Sequence, residues 1–187
     1  MTDNPFFESW TTPFGLPPFD RITAEHFPPA FERAMAEHLS EVEAIANAAE
    51  APSFANTIEA LERSGRLFTR VSAVFSNLTS SNTNDALDAI ERDMAPLMAQ
   101  HYMRVALNPA LFGRVADLYG RRDDLGLAED QMRLLERTHL GFIRSGAALD
   151  AAGRARMTAI SERLATLHTL FGQNVLHDEK EWALVLE

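Results

Sequence analysis

Residues 30–49 read AFERAMAEHLSEVEAIANAA, and the spacing of the apolar residues in this run decides the fold. Phe31, Met35, Leu39, Val42 and Ile45 return every three or four positions. That period lines one face of an α-helix and does not fit the strict alternation of a half-buried strand. The residues between them are mainly Ala and Glu, which are good helix formers. Upstream, Thr23 offers an N-cap and Pro28-Pro29 suit a first turn, where a missing N–H costs little.

The same period continues outward. Pro52-Ser53 closes the first helix and caps a second, whose stripe is Ile58, Leu61, Phe68, Val71, Phe75 and Leu78, with Gly65 filling one stripe position. The polar stretch from Thr79 to Asp85 reads as a turn. Leu87, Ile90, Met94, Leu97 and Val105 then repeat the stripe, and Pro96 inside it predicts a kink or a restart. Asn108-Pro109 gives a cap followed by Pro at the first helical position, and Gly120 or Gly126 ends that segment. A fifth helix is expected from about Ala128 to Ser145, stopping at Gly146. Asp150 caps a sixth, with Met157, Ile160, Leu164, Leu167 and Phe171 on one face.

The two ends differ from this pattern. Residues 1–22 interleave Phe6, Phe7, Trp10, Phe14 and Phe19 with Pro5, Pro13, Pro17 and Pro18, which predicts an extended arm laid across helices to cover its aromatic rings. Residues 181–187, EWALVLE, read as the start of a strand with no convincing partner elsewhere. Natural domains rarely end on an unpaired strand, so the chain is expected to be cut there, with the partner downstream. The expected fold is therefore all-α: an antiparallel bundle or paired-hairpin assembly of about six helices. Its arm covers 1–22, its helical domain 23–180, and its unpartnered strand start 181–187. No fixed-period repeat points to a solenoid.

Composition narrows the function. With 187 residues, 46% hydrophobic and 24% charged, the chain can build one core without disulfides or metal staples. A net charge of −10 excludes a phosphate-binding surface, since the basic pair Arg121-Arg122 is followed at once by Asp123-Asp124. Cysteine is absent, which removes disulfides, thiolate metal sites and thiol nucleophiles. Met1 to Trp10 lacks basic residues and any apolar run of signal length, and no apolar stretch approaches membrane-spanning length. The expectation is a cytoplasmic chain with neither nucleic acid nor membrane as partner.

Chemistry-bearing patterns are sparse. His26, His38, His101, His139, His168 and His177 include no pair at i, i+4 spacing and no HExxH. One Glu-x-x-His occurs, Glu136 to His139, whereas a carboxylate-bridged two-metal bundle needs two such pairs plus two further Glu. A surface ion-pairing helix is the alternative reading of Glu136 and His139. His101 falls in phase with Leu97 and Val105 and reads as a hydrogen-bonded core or boundary histidine. Met35, Met94, Met98, Met103, Met132 and Met157 stand among Leu and Phe at helical spacing, which suits core filling better than an adaptable groove. Glu32, Glu37, Glu41, Glu43 and Glu50 read as a solvated face. No catalytic, cofactor-binding or metal-binding residue is assigned.

Phe19-Asp20-Arg21-Ile22 with Glu25-His26-Phe27-Pro28-Pro29-Ala30-Phe31 resembles the opening of the thimet oligopeptidase and neurolysin family of zinc peptidases. So do Pro52-Ser53-Phe54-Ala55-Asn56-Thr57-Ile58-Glu59-Ala60-Leu61-Glu62, Ser145-Gly146-Ala147-Ala148-Leu149 and Phe171-Gly172-Gln173-Asn174-Val175-Leu176. Leu67 to Phe75, with Thr83-Asn84-Asp85 behind it, resembles the bacterial peptidyl-dipeptidase (dipeptidyl carboxypeptidase) branch. The resemblance implies a clamshell-shaped helical enzyme with a deep channel for short peptides. Its zinc is held by an HExxH helix and a downstream Glu in the C-terminal half. No position here matches those ligands or the base, so the resemblance implies the N-terminal, non-catalytic portion of such an enzyme. Zinc and the catalytic half would lie in the rest of the polypeptide. Apolar faces left open by that missing half are expected to drive weak self-association. The alternative is a freestanding helical interaction module without catalytic activity.

Overall fold

A computed structural model describes residues 4–182. The chain forms α1 (Phe27–Ala46), a single turn α2 (Ala60–Arg63), α3 (Arg66–Ser81), α4 (Asp85–Ala106), α5 (Pro109–Gly120), α6 (Glu129–Arg144) and α7 (Ala151–Glu181). Among the described residues there is no strand, so the fold is all-α. The strand expected at 181–187 lies, beyond its first two residues, outside the described part. Glu181 is the last residue of α7, and Trp182 has extended backbone (φ −97°, ψ 127°).

Most boundaries are where side-chain chemistry sets them. Asn84 accepts from the N–H groups of Ala86 and Leu87 at the start of α4, Asn108 from Leu111 (3.0 Å) at the start of α5, and Asp150 from Gly153 (2.7 Å) at the start of α7. Ser53 and Asn56 cap each other reciprocally, at 3.1 and 2.8 Å, ahead of a π-helical turn at Phe54–Glu59. Two details depart from the periodicity. The stripe from Ile58 to Leu78 is not one helix: it breaks at Ser64-Gly65, where Gly65 adopts φ +67°. A Cβ there would sit 3.0 Å from the His38 ring, so glycine is needed both for its conformation and for the close approach of α1. Pro96 causes no restart, because α4 runs through it from Asp85 to Ala106. Met94 and His101 are buried on one side and α7 packs on the other, and this holds the helix together across the missing donor.

Helix α1 is the hub of two cores. Its first half contributes Phe27, Ala30, Phe31 and Ala34 to a cluster with Phe6, Phe68, Val71, Phe75, Leu87 and Met94. The rings meet edge to face, Phe27 to Phe75 at 4.9 Å and Phe31 to Phe75 at 5.4 Å between centroids. Its second half adds Val42 and Ala46 to a cluster with Ile58, Leu111, Val115, Leu118, Leu135 and Phe142, drawn from the 54–63 segment, α5 and α6. Helix α7 joins neither. It lies antiparallel along α4, with Ser161 against Met103, Glu162 against Gln100 and Gln173 against Arg92, and this is the most extensive helix pairing in the molecule.

The arm is only half covered. Phe6 is fully buried, Asn4 holds the carbonyl of His26 (2.9 Å), and the Arg70 guanidinium sits 4.8 Å over Trp10 while donating to the carbonyls of Phe6 and Glu8. Further along, Phe14 is wholly exposed at φ 60°. The chain here makes short 3₁₀ turns at Pro5–Phe7 and Pro13–Gly15 linked by extended residues.

Candidate functional site

Helices α1 and α4 run side by side beneath the start of α3, and two histidines pin this junction. His38 Nδ1 and His101 Nε2 are 2.9 Å apart, and His38 Nε2 lies 3.3 Å from Ser64 Oγ. Ser64 has one hydroxyl proton and gives it to the carbonyl of Leu61 at 2.7 Å. His38 Nε2 must therefore donate to Ser64, and His101 Nε2 to His38 Nδ1. The relay ends at His101 Nδ1, a buried acceptor with no protein donor. Phe68 closes over the pair, 4.6 Å from the His101 ring and 6.0 Å from that of His38. Glu41 accepts from the N–H of Gly65 at 2.6 Å and so ties α1 to the first residue before α3.

The environment keeps both imidazoles neutral. Burial pushes the pKa of His38 down against the opposing pull of Glu41. Burial, then the neighbouring His38, then Arg104 bring His101 down to about 4. Grooves flank the pair. One, of about 820 Å³ between α1 and α4, is floored by Met35, Leu39, Met94 and Leu97, with Glu32 and Arg104 among its polar residues. The other, of about 730 Å³, lies between α3 and the packed α4–α7 pair over Phe68, Phe75, Met98 and Tyr102. Neutral imidazoles bound to each other and to a serine can transmit a protonation event into the α1–α3–α4 packing. They present no nucleophile poised by a base.

His101 is thus the hydrogen-bonded core histidine that its phase predicts. Glu136 and His139 are not drawn into one site: Glu136 lies 3.9 Å from Arg133, and His139 stacks on Tyr119 at 3.9 Å, with the Arg122 guanidinium 4.5 Å from the centre of the same Tyr119 ring. Among the described residues no group of three or more His, Asp or Glu could hold a metal ion. Of the methionines, Met94 is buried, and Met35 and Met98 pack against the same cluster. The acidic face of α1 does more than meet solvent, since Glu41 holds Gly65 and Glu43 accepts from Asn108 at 3.3 Å.

Arg114 is the residue that the sequence reading passed over. It is 8% exposed, and its guanidinium donates to the carbonyls of Ala48 and Glu50, to Asn56 Oδ1 and to Thr57 Oγ1 at 3.0–3.3 Å. With no carboxylate partner among the described residues, it staples the 47–57 connection onto α5. The signal was present: Arg114 lies in the apolar phase of Leu111, Val115 and Leu118.

Fold and site together define an all-α assembly with α1 at its hub, a phenylalanine-rich core, and a pair of hydrogen-bonded histidines pinning α1 to α4. No family model matches the chain. Curated proteins do. The chain is 38% identical over 185 residues to the dipeptidyl carboxypeptidase of Escherichia coli, covering 99% of this chain and 27% of that protein. It is 36% identical to the dipeptidyl carboxypeptidase of Salmonella typhimurium, covering all of this chain and 28% of the relative. It is 26% identical to the organellar oligopeptidase A of Arabidopsis thaliana, over 97% of this chain and 22% of that protein. The chain is a relative of these dipeptidyl carboxypeptidases and oligopeptidases, in the thimet oligopeptidase family. It spans about a quarter of the length of the curated relatives it matches.

Proposed function

We propose that this chain is the N-terminal, non-catalytic helical part of a zinc-dependent oligopeptidase of the peptidyl-dipeptidase type, and that it walls the channel that admits short peptides. The observation that carries the reading is the match, along essentially the whole chain, to about a quarter of a dipeptidyl carboxypeptidase. The absence of HExxH from the sequence accords with it. Zinc, which the family implies, finds no ligand set among the described residues, so its ligands and the general base are assigned to the rest of the polypeptide. The grooves on either side of α4, with apolar floors and polar residues beside them, suit a wall along which a peptide passes. In this reading residues 1–22 are a strap laid across the helices and 23–180 form the helical domain.

A chimera tests this reading. The stretch of the E. coli dipeptidyl carboxypeptidase matched by this chain is replaced with the chain, and dipeptide release from an N-blocked peptide is measured. The expected result is cleavage that a chelator abolishes and zinc restores, with none from the chain alone. Zinc-dependent cleavage by the purified chain, or a chimera that fails to fold, would overturn it.

A further inference from the structure

Helix α7 is packed the wrong way round for an isolated domain. The side that meets α4 carries Ser161, Ala165, Thr169 and Gln173, small or polar residues four apart. The large apolar residues stand on another side. Ile160, Leu164, Leu167, Phe171 and Val175 are 39%, 49%, 43%, 71% and 39% exposed. At about 100° per residue their stripe is centred roughly 140° around the axis from the side facing α4. A surface helix ordinarily buries its apolar stripe and turns its polar side to water. Soluble monomers rarely leave so continuous an apolar strip uncovered. Arg156 and Arg163 are exposed along one border of the stripe and make no ion pair among the described residues, although the chain as a whole carries a charge of −10.

We infer that this face of α7 is the seat on which the remainder of the polypeptide docks, through an apolar surface bordered by acidic residues opposite Arg156 and Arg163. The inference rests on the proposed function, because the occupant is the sequence that the relatives have beyond the matched stretch. That sequence is ample: the chain spans 27–28% of the dipeptidyl carboxypeptidases. The inference adds to the proposal a named surface and the chemistry of what covers it. The small, polar side against α4 also follows, since close approach of the two helices leaves the bulky residues free to face the later-packing part.

The double variant Leu164→Glu/Phe171→Glu separates the two claims when placed both in the isolated chain and in the chimera, with Phe14→Glu as the control. Both positions are exposed, so the isolated chain keeps its urea midpoint. In the chimera the same pair buries two carboxylates, and the midpoint of the transition that includes this domain falls while Phe14→Glu leaves it in place. A chimera that cleaves peptide and keeps its midpoint with the double variant refutes the docking surface and leaves the proposed function standing. A wild-type chimera that does not fold refutes both. A loss of stability in the isolated chain shows that the face is already packed internally, and this too overturns the inference.

Discussion

Helix α3, 16 residues long, buries Phe68, Val71, Val74, Phe75 and Thr79, whereas α7, 31 residues long, buries none of its described residues. Both have apolar stripes of helical period, and both touch α4, α7 along much of its length and α3 only slightly. The difference lies in what faces inward. α3 presents aromatic rings to α1, while α7 presents serine, alanine and threonine to α4 and holds Leu164, Leu167 and Phe171 away. Periodicity reports that a helix has an apolar face. It does not report whether the covering surface belongs to the same domain.

The comparison breaks or sharpens most at single side chains. Phe75→Ala, which empties the centre of the aromatic cluster, is expected to cost about 3–5 kcal/mol in urea unfolding, against a change within about 0.5 kcal/mol for Leu164→Ala on α7. Equal losses at the two positions would erase the contrast.

Acid should act on the α1–α3–α4 side and not along α7. The folded pKa of His101 lies below the unfolded value, so between about pH 6.5 and 4 the unfolded chain binds more protons. The stabilising effect is complete above about pH 6.5 and is withdrawn as the pH falls toward 4, by at most about 3 kcal/mol. His38, shifted in the same direction, adds to the fall. Hydrogen-exchange protection factors, which correct for the intrinsic pH dependence of exchange, should fall in α1 and α3 at pH 5 relative to pH 7, and His101→Leu should flatten the pH dependence.

Arg114→Ala removes the donors from the 47–57 connection and is expected to cost about 2 kcal/mol in the second core, measurable in the same unfolding series. The smallest of these effects is Gly65→Ala, at about 1–2 kcal/mol, since alanine is strained at φ +67° and its Cβ meets the His38 ring. An unchanged midpoint there would show that α1 and α3 do not depend on their close approach.

Much of this was legible in the sequence, for reasons that are local. Asn84, Asn108 and Asp150 act through hydrogen bonds to residues two or three positions on, so the helix starts could be read directly. What depends on residues far apart could not. The His38–His101 pair joins positions 63 apart, and neither residue carries a motif that names the other. Gly65 fits a stripe position as well as a break, and only the His38 ring decides between them. Glu41 sits among solvated carboxylates in the sequence, and only the fold brings the backbone N–H of Gly65, at the start of α3, beside it. The Phe171 stripe was read as a helical face from spacing alone, and the structure shows that α4 covers a different side.

The most direct test of the account is side-chain footprinting of α7. Hydroxyl-radical labelling is compared at Phe171 and Leu164 in the isolated chain and in the chimera with the E. coli dipeptidyl carboxypeptidase, with Phe14 as the reference. The account predicts strong labelling of all three in the isolated chain, and protection of Phe171 and Leu164 alone in the chimera. Equal labelling of Phe171 and Leu164 in a chimera that folds and cleaves would contradict it.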